Sequence, residues 1–178
     1  MTNTSTTTAT AAVATTPTPT PKPIRGPAPY ALTDLHLIPT TVPRIIQKTS
    51  TNNMEEWAKG VPEDQYLARE DRLAETAFSS EGRLVTWVLV PKPGADATEA
   101  YKAGHPGVGG VGGAFVEDGV EEENLERILG ALETFERPGL VARTEGNEEG
   151  VKDVSTMSIA SVYVPSKYRH HGYGHLMM

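Results

Sequence analysis

The chain has 178 residues, of which 38% are hydrophobic and 22% charged, with a net charge of −7 and no cysteine. That length supports one domain with a real core. The negative balance argues against general nucleic-acid binding, the missing thiols exclude disulfides, a thiol-acyl relay and cysteine-based zinc sites, and no apolar run approaches the ~20 residues that span a bilayer.

Residues 1–29 are almost wholly Thr, Ala and Pro. They hold too little apolar mass to fold and read as a disordered, partly polyproline tail. No acid precedes Asp34, as in targeting peptides, yet only Lys22 and Arg25 are basic there. The expectation is a cytoplasmic rather than a mitochondrial protein, with its folded domain over 30–178.

Leu35 to Ile38 reads as a first strand stopped by Pro39. A short helix is expected within Thr40 to Lys48, delayed by Pro43. Asn53 is placed to cap another over Met54 to Lys59, with Glu55 and Glu56 in its first turn. Pro62, Glu63 and Asp64 suit the start of a longer helix. Its apolar stripe is Tyr66/Leu67, Leu73/Ala74 and Ala77/Phe78. Tyr66 and Trp57 read as core, while Gln65, Arg69 and Glu70 face away from the stripe. Leu84 to Val90 is β-branched and aromatic, a strand closed by Pro91.

Residues 91–124, with the glycine-rich Gly104 to Gly113 and the acids Glu121 to Glu123, read as an insert or loop. No Lys, Ser or Thr comes after those glycines as a phosphate loop requires. Ile128 to Phe135 gives a third strand. Glu133 and Glu136 near its end read first as solvated strand-end carboxylates, with orienting or deprotonating a substrate amine as the alternative, so no catalytic residue is assigned. Pro138-Gly139 reads as a turn, Leu140 to Arg143 as an extension of the hairpin, Thr144 to Asp153 as a polar loop and Val154 to Val164 as a fourth strand. The order β-α-α-β-β-β-α predicts an α+β (α/β) fold with a mixed sheet flanked by helices.

Ser158 to Met178 is the most informative stretch. Alternation puts Ile159, Ser161 and Tyr163 on one strand face and Ala160, Val162 and Val164 on the other. Both faces are largely apolar, which predicts a central strand. Pro165 ends ladder pairing. Arg169, Gly172 and Gly174 then form Arg-x-x-Gly-x-Gly ahead of a helix start at His175 to Met178. Glycines let a ligand approach the backbone, a helix start offers unpaired N–H groups, and a guanidinium binds phosphate in bidentate fashion. Together they predict a phosphate cradle. A Walker loop is excluded because no Gly-Lys-Ser/Thr occurs, and a dinucleotide fingerprint because the glycine spacing is wrong. His171 and His175 have i, i+4 spacing, but no acid accompanies them, so no metal site is expected.

Val162 to Gly174, VYVPSKYRHHGYG, resembles motif A of the GNAT acetyltransferases. Glu56-Trp57, Gly60 and Gln65-Tyr66-Leu67-x-Arg69-Glu70 resemble the corresponding block of fungal lysine N-acetyltransferases. Thr86 to Val90 and Ile128 to Phe135 resemble that family's second and third strands. The resemblance implies a GNAT-like fold and an acetyl-CoA-dependent N-acetyltransferase acting on a small amine, the ε-amine of lysine, with no nucleic-acid or membrane partner. It implies that Val162, Tyr163 and Val164 bond the pantetheine arm. The pyrophosphate would sit on Arg169, His170, His171, Gly172, Tyr173 and Gly174. His170 departs from the pattern, since the family usually has Gly directly after the Arg. The family's fifth strand and its frequent tyrosine acid are absent, so the alternative expectation is a truncated, non-catalytic fragment with at most a partial CoA-binding module.

Overall fold

The computed structural model describes residues 26–105, 125–143 and 150–178. A 3-10 turn (Leu32–Asp34) leads into β1 (Leu35–Thr40), α1 (Pro43–Trp57), α2 (Glu63–Ala74), β2 (Leu84–Pro91) and α3 (Glu99–Gly104). Then come β3 (Gly130–Arg143), β4 (Gly150–Tyr163), a second 3-10 turn (Ser166–Tyr168) and α4 (Tyr173–Met177). The strands form one sheet in the order β1-β2-β3-β4, and all three pairings are antiparallel. The fold is α+β as expected. Its sheet is antiparallel rather than mixed, because among the described residues each strand pairs with its neighbour in sequence and no crossover joins parallel strands.

Alternation along the strands gives the sheet two apolar faces. On one, Leu89 and Leu132 pack with Leu35, Tyr168, Tyr173 and Met177. On the other, Val88, Val90 and Ala131 pack with Ile45 of α1 and with Ile128. Val88, Leu89 and Val90 are fully buried, so β2 is covered on both sides, as its unbroken apolar run predicts. Each such side chain contributes roughly 1.5–3 kcal/mol.

α1 is a single helix where two were expected. Pro43 stands at its N-terminus, where the missing N–H is not needed, and so starts the helix rather than delaying it. Ile45, Thr49 and Asn53 form its buried stripe. Asn53 is therefore interior rather than a cap, and its Oδ1 has no hydrogen-bond partner. α2 stops short of Phe78, and just past its end Thr76 donates its hydroxyl to the Leu73 carbonyl at 2.7 Å. Of its expected stripe only Tyr66 is buried; Leu67, Leu73, Ala74 and Phe78 line an open cleft. Trp57, expected in the core, is 47% exposed.

β3 runs through Pro138-Gly139, where a turn was expected. β2 accompanies it only as far as Phe135. Pro138 thus lies where β3 has a single neighbour, the setting in which a sheet tolerates a residue without an N–H. Beyond that point β3 and β4 form a two-stranded ribbon that reaches Arg143 and Gly150 and leaves Leu140, Val151 and Met157 exposed. β4 thus begins inside the expected polar loop. It was also expected to be central, yet among the described residues it is an edge strand beside β3. Met157, Ile159 and Val162 are accordingly exposed, and only Tyr163 at its end is buried.

Residues 1–25 of the expected tail and the glycine- and acid-rich 106–124 of the expected insert lie outside the described residues. The flanks are held together. Thr98 precedes α3 and accepts the Tyr101 N–H on its hydroxyl at 3.3 Å. Its own N–H donates to the Pro29 carbonyl at 2.8 Å, and its hydroxyl donates to the Ala28 carbonyl at 2.5 Å.

α4 approaches the sheet closely at Gly130, where a Cβ would lie 2.9 Å from Met177 Cε and 3.1 Å from the Tyr163 carbonyl oxygen. Gly130→Ala is expected to cost about 1–3 kcal/mol by overpacking. The readout is a lowered urea midpoint at unchanged slope, and an unmoved midpoint would show that the Met177 side chain yields freely.

Candidate functional site

β4 ends in a bulge. Ala160 opposes Glu133 and Tyr163 opposes Ala131, so three steps on β4 match two on β3. Ala160 and Tyr163 therefore share a face, although strict alternation would separate them. Ser161 carries the irregularity with φ 51°, a left-handed value that costs a side-chain-bearing residue about 1–2 kcal/mol. Its hydroxyl donates to Glu133 Oε2 at 2.5 Å.

Past the bulge the chain is gripped by the end of α1. Glu55 accepts the Tyr163 hydroxyl and the Ser166 N–H at 3.3 Å. Those bonds hold its carboxyl below the usual range. Burial, and then the bond to Glu55, push the Tyr163 hydroxyl upward. Trp57 packs on Tyr163 with ring centroids 5.9 Å apart. Arg169 donates Nε to the Val164 carbonyl at 2.8 Å and lies over the Tyr163 ring at 5.4 Å. Its guanidinium pairs with Glu56 at 2.8 Å and with Glu55 at 3.6 Å.

The structure brings the predicted site residues together in one loop, in unequal roles. Val162, Tyr163 and Val164 lie along and just past the end of β4, whose outer edge is unpaired among the described residues. His170 has φ 70°, which explains why glycine suits that position. The His171 ring lies 5.7 Å from that of Tyr173. Gly172 stands before α4 with φ 87° and needs to be glycine, whereas a Cβ on Gly174 would only touch Val164 at 3.9 Å. Tyr173 is a core residue. Its hydroxyl donates to the Tyr30 carbonyl at 3.0 Å and accepts the Tyr30 N–H at 3.2 Å, and burial pushes it up to about 12. That leaves only its backbone for an anion.

Glu126 braces the loop from behind. It takes Lys48 on one oxygen and Lys167 on the other, each at 2.7 Å, and its carbonyl accepts the Tyr168 hydroxyl at 2.9 Å. The two lysines hold its carboxyl down to about 2.

On the α1 face of the sheet lies a cleft of about 730 Å³ between α1, α2, β2 and β3. Glu133, Glu70 and Asp71 bring three carboxylates to it against the one guanidinium of Arg44, and Leu67, Phe78 and Phe135 give it apolar walls. Burial raises the Glu133 carboxyl above its usual range, the Ser161 hydroxyl opposes that, and Glu70 adds to it. Arg69 pairs with Glu70 at 2.7 Å and lies 4.5 Å over the Tyr66 ring, so Gln65 to Glu70 presents a buried anchor and an acid at the cleft. Glu136 is exposed and accepts the Ser155 hydroxyl at 2.6 Å. The cleft itself escaped the sequence reading, because its walls come from four separate elements. The one local signal was Glu133 inside an apolar strand. Acidic groups over apolar walls suit a cation on an aliphatic stem.

No protein-family model matches the chain, and no solved structure matches it significantly. Among curated proteins it is similar to a lysine acetyltransferase of Yarrowia lipolytica, 28% identical over 138 residues. The match takes in 78% of this chain and 26% of that protein, so the chain spans about a quarter of the relative's length. The similarity supports a relationship to acetyltransferases.

His170→Gly should relieve left-handed strain and raise stability by about 0.5–1 kcal/mol, while Gly172→Ala should lower it by about 1–2 kcal/mol; denaturant titration of both checks the contrast. The Glu126 carboxyl is depressed when folded, so its stabilisation is complete above its ordinary value of 4.5 and is lost as pH falls toward about 2. Because that side chain is half exposed, Glu126→Gln should cost only about 0.5–1 kcal/mol at pH 7, with the gap to wild type closing in melts run below pH 4.5.

Proposed function

We propose that the chain carries the acetyl-CoA-binding part of a GNAT-like N-acetyltransferase that acetylates the ε-amine of lysine. The observation that carries this reading is the Ser161–Glu133 bond at the bulge. It ties a cleft suited to an alkylammonium to the strand that ends in the Arg169–Gly174 loop. The resemblance to motif A and the similarity to a lysine acetyltransferase support the same reading.

The residues present fit such a cosubstrate. Arg169 keeps a third of its side chain exposed, Gly172 holds the left-handed turn before α4, and the outer edge of β4 is unpaired among the described residues. Tyr173 fits only through its backbone. Acetyl-CoA, when bound, supplies a thioester carbonyl open to attack by an amine, with the CoA sulfur as leaving group.

The chain's own residues prepare the amine. Lysine reaches the cleft as an ammonium, drawn by Glu133, Glu70 and Asp71, and its stem lies on Leu67 and Phe135. Glu133 accepts the ammonium proton, and its raised carboxyl brings that exchange nearer neutral pH. The bond from Ser161 fixes the carboxylate toward the strand end. N–H groups there polarise the carbonyl under attack.

Glu133→Gln is expected to lower acetylation of free lysine by about 10²–10⁴-fold while CoA affinity is kept. The wild-type rate should fall on acidification with a limb above the ordinary carboxylate value of 4.5, and the variant should lack that limb. Arg169→Ala should weaken CoA binding by roughly 1.5–3 kcal/mol. Equal CoA affinity in titration calorimetry would remove the loop from the site. A lysine-containing peptide acetylated faster than the free amino acid would move the acceptor to protein.

A further inference from the structure

The acids at the end of α1 have a second consequence for the Arg169 loop, one that rests on the reading of that loop as a phosphate site. Arg169 already has an anion. Its guanidinium meets Glu56 at 2.8 Å and Glu55 at 3.6 Å. The two acids differ in what else they hold. Glu55 is also bound by the Tyr163 hydroxyl and the Ser166 N–H, so it belongs to the frame of the loop. Glu56 has Arg169 as its ion-pair partner, and both side chains of that pair are over a third exposed.

We propose that Glu56 is an internal competitor for the phosphate group: its carboxylate occupies the Arg169 guanidinium until a phosphate-bearing cosubstrate displaces it, while Glu55 keeps the arginine in place. Arg169 is anchored independently through Nε on the Val164 carbonyl, so it does not leave when Glu56 lets go. The guanidinium has donors enough for both the anchor and an incoming phosphate. An exposed ion pair is worth less than about 1 kcal/mol, whereas a phosphate brings greater charge to the same donors, so the exchange runs in favour of the ligand. The arrangement discriminates: a weak monovalent anion faces the same competitor without the charge to displace it. Glu56 is a positioning residue here, acting on the ligand through Arg169.

The test is a double-mutant cycle on Glu56→Gln and Arg169→Ala, titrating coenzyme A and inorganic pyrophosphate by calorimetry at low and high salt, with melts to confirm folding. Glu56→Gln is expected to tighten both probes about two- to fivefold at low salt, with a smaller gain at high salt. The gain should vanish in the Arg169→Ala background. Glu63→Gln, an exposed acid on α2, controls for net charge and should change affinity less than about twofold. An affinity unchanged or weakened by Glu56→Gln overturns the proposal. So does a gain that persists without Arg169, or one that Glu63→Gln reproduces. If pyrophosphate obeys the cycle while coenzyme A does not bind, the competitor role stands and the acetyl-CoA reading falls. Binding of neither probe to any variant removes both.

Discussion

The carboxylate of Glu55 decides where β4 ends and how the chain turns beyond it. By accepting the Tyr163 hydroxyl and the Ser166 N–H, it fastens the last residue of the strand and the first turn after it to α1. Tyr163 then becomes a platform. Trp57 packs against its ring and Arg169 lies over it. The orientation of Arg169 toward Glu56 depends on that platform and on the Val164 carbonyl. Sequence blocks separated by about a hundred residues thus meet at one aromatic ring, which gives a physical reason for an acid pair and a tryptophan to precede a distant arginine–glycine loop.

The bulge complements this bond. Without the extra residue at Ser161, alternation would put Tyr163 on the face away from α1, and Glu55 would lose its partner. The same residue swings a hydroxyl onto Glu133. A single left-handed serine therefore serves both the loop on one side and the cleft on the other, which is the kind of location where backbone strain is retained.

Much of this was legible in the chain. β2 is continuous and apolar because both of its faces are covered, and that pattern survives any register. The Arg169–Gly174 loop was legible because glycine at a left-handed turn and proline at a strand end are local demands. The features that were not legible depended on neighbours. Nothing near Asn53 says that Ile45 and Thr49 will align with it on one buried stripe of a continuous helix. Pro138-Gly139 looks like a turn unless one knows that β2 has already ended. Tyr173 sits in the motif yet serves the core, because its hydroxyl finds the backbone of Tyr30, 143 residues away in sequence. The cleft at Glu133 needed four elements to exist, and no window of sequence contains them.

The link between Tyr173 and Tyr30 bears on how the chain assembles. The strand order matches the chain order, so each ladder joins strands that are next to each other along the chain, with modest closure entropy per step. The terminal segment is different: it must return to the segment before β1, the longest closure in the described fold. Sheet formation can run ahead of it, while the turn that sets Gly172 before α4 forms with the docking of Tyr173. Any ligand held by the Arg169–Gly174 loop would therefore also stabilise the long closure between Tyr30 and Tyr173.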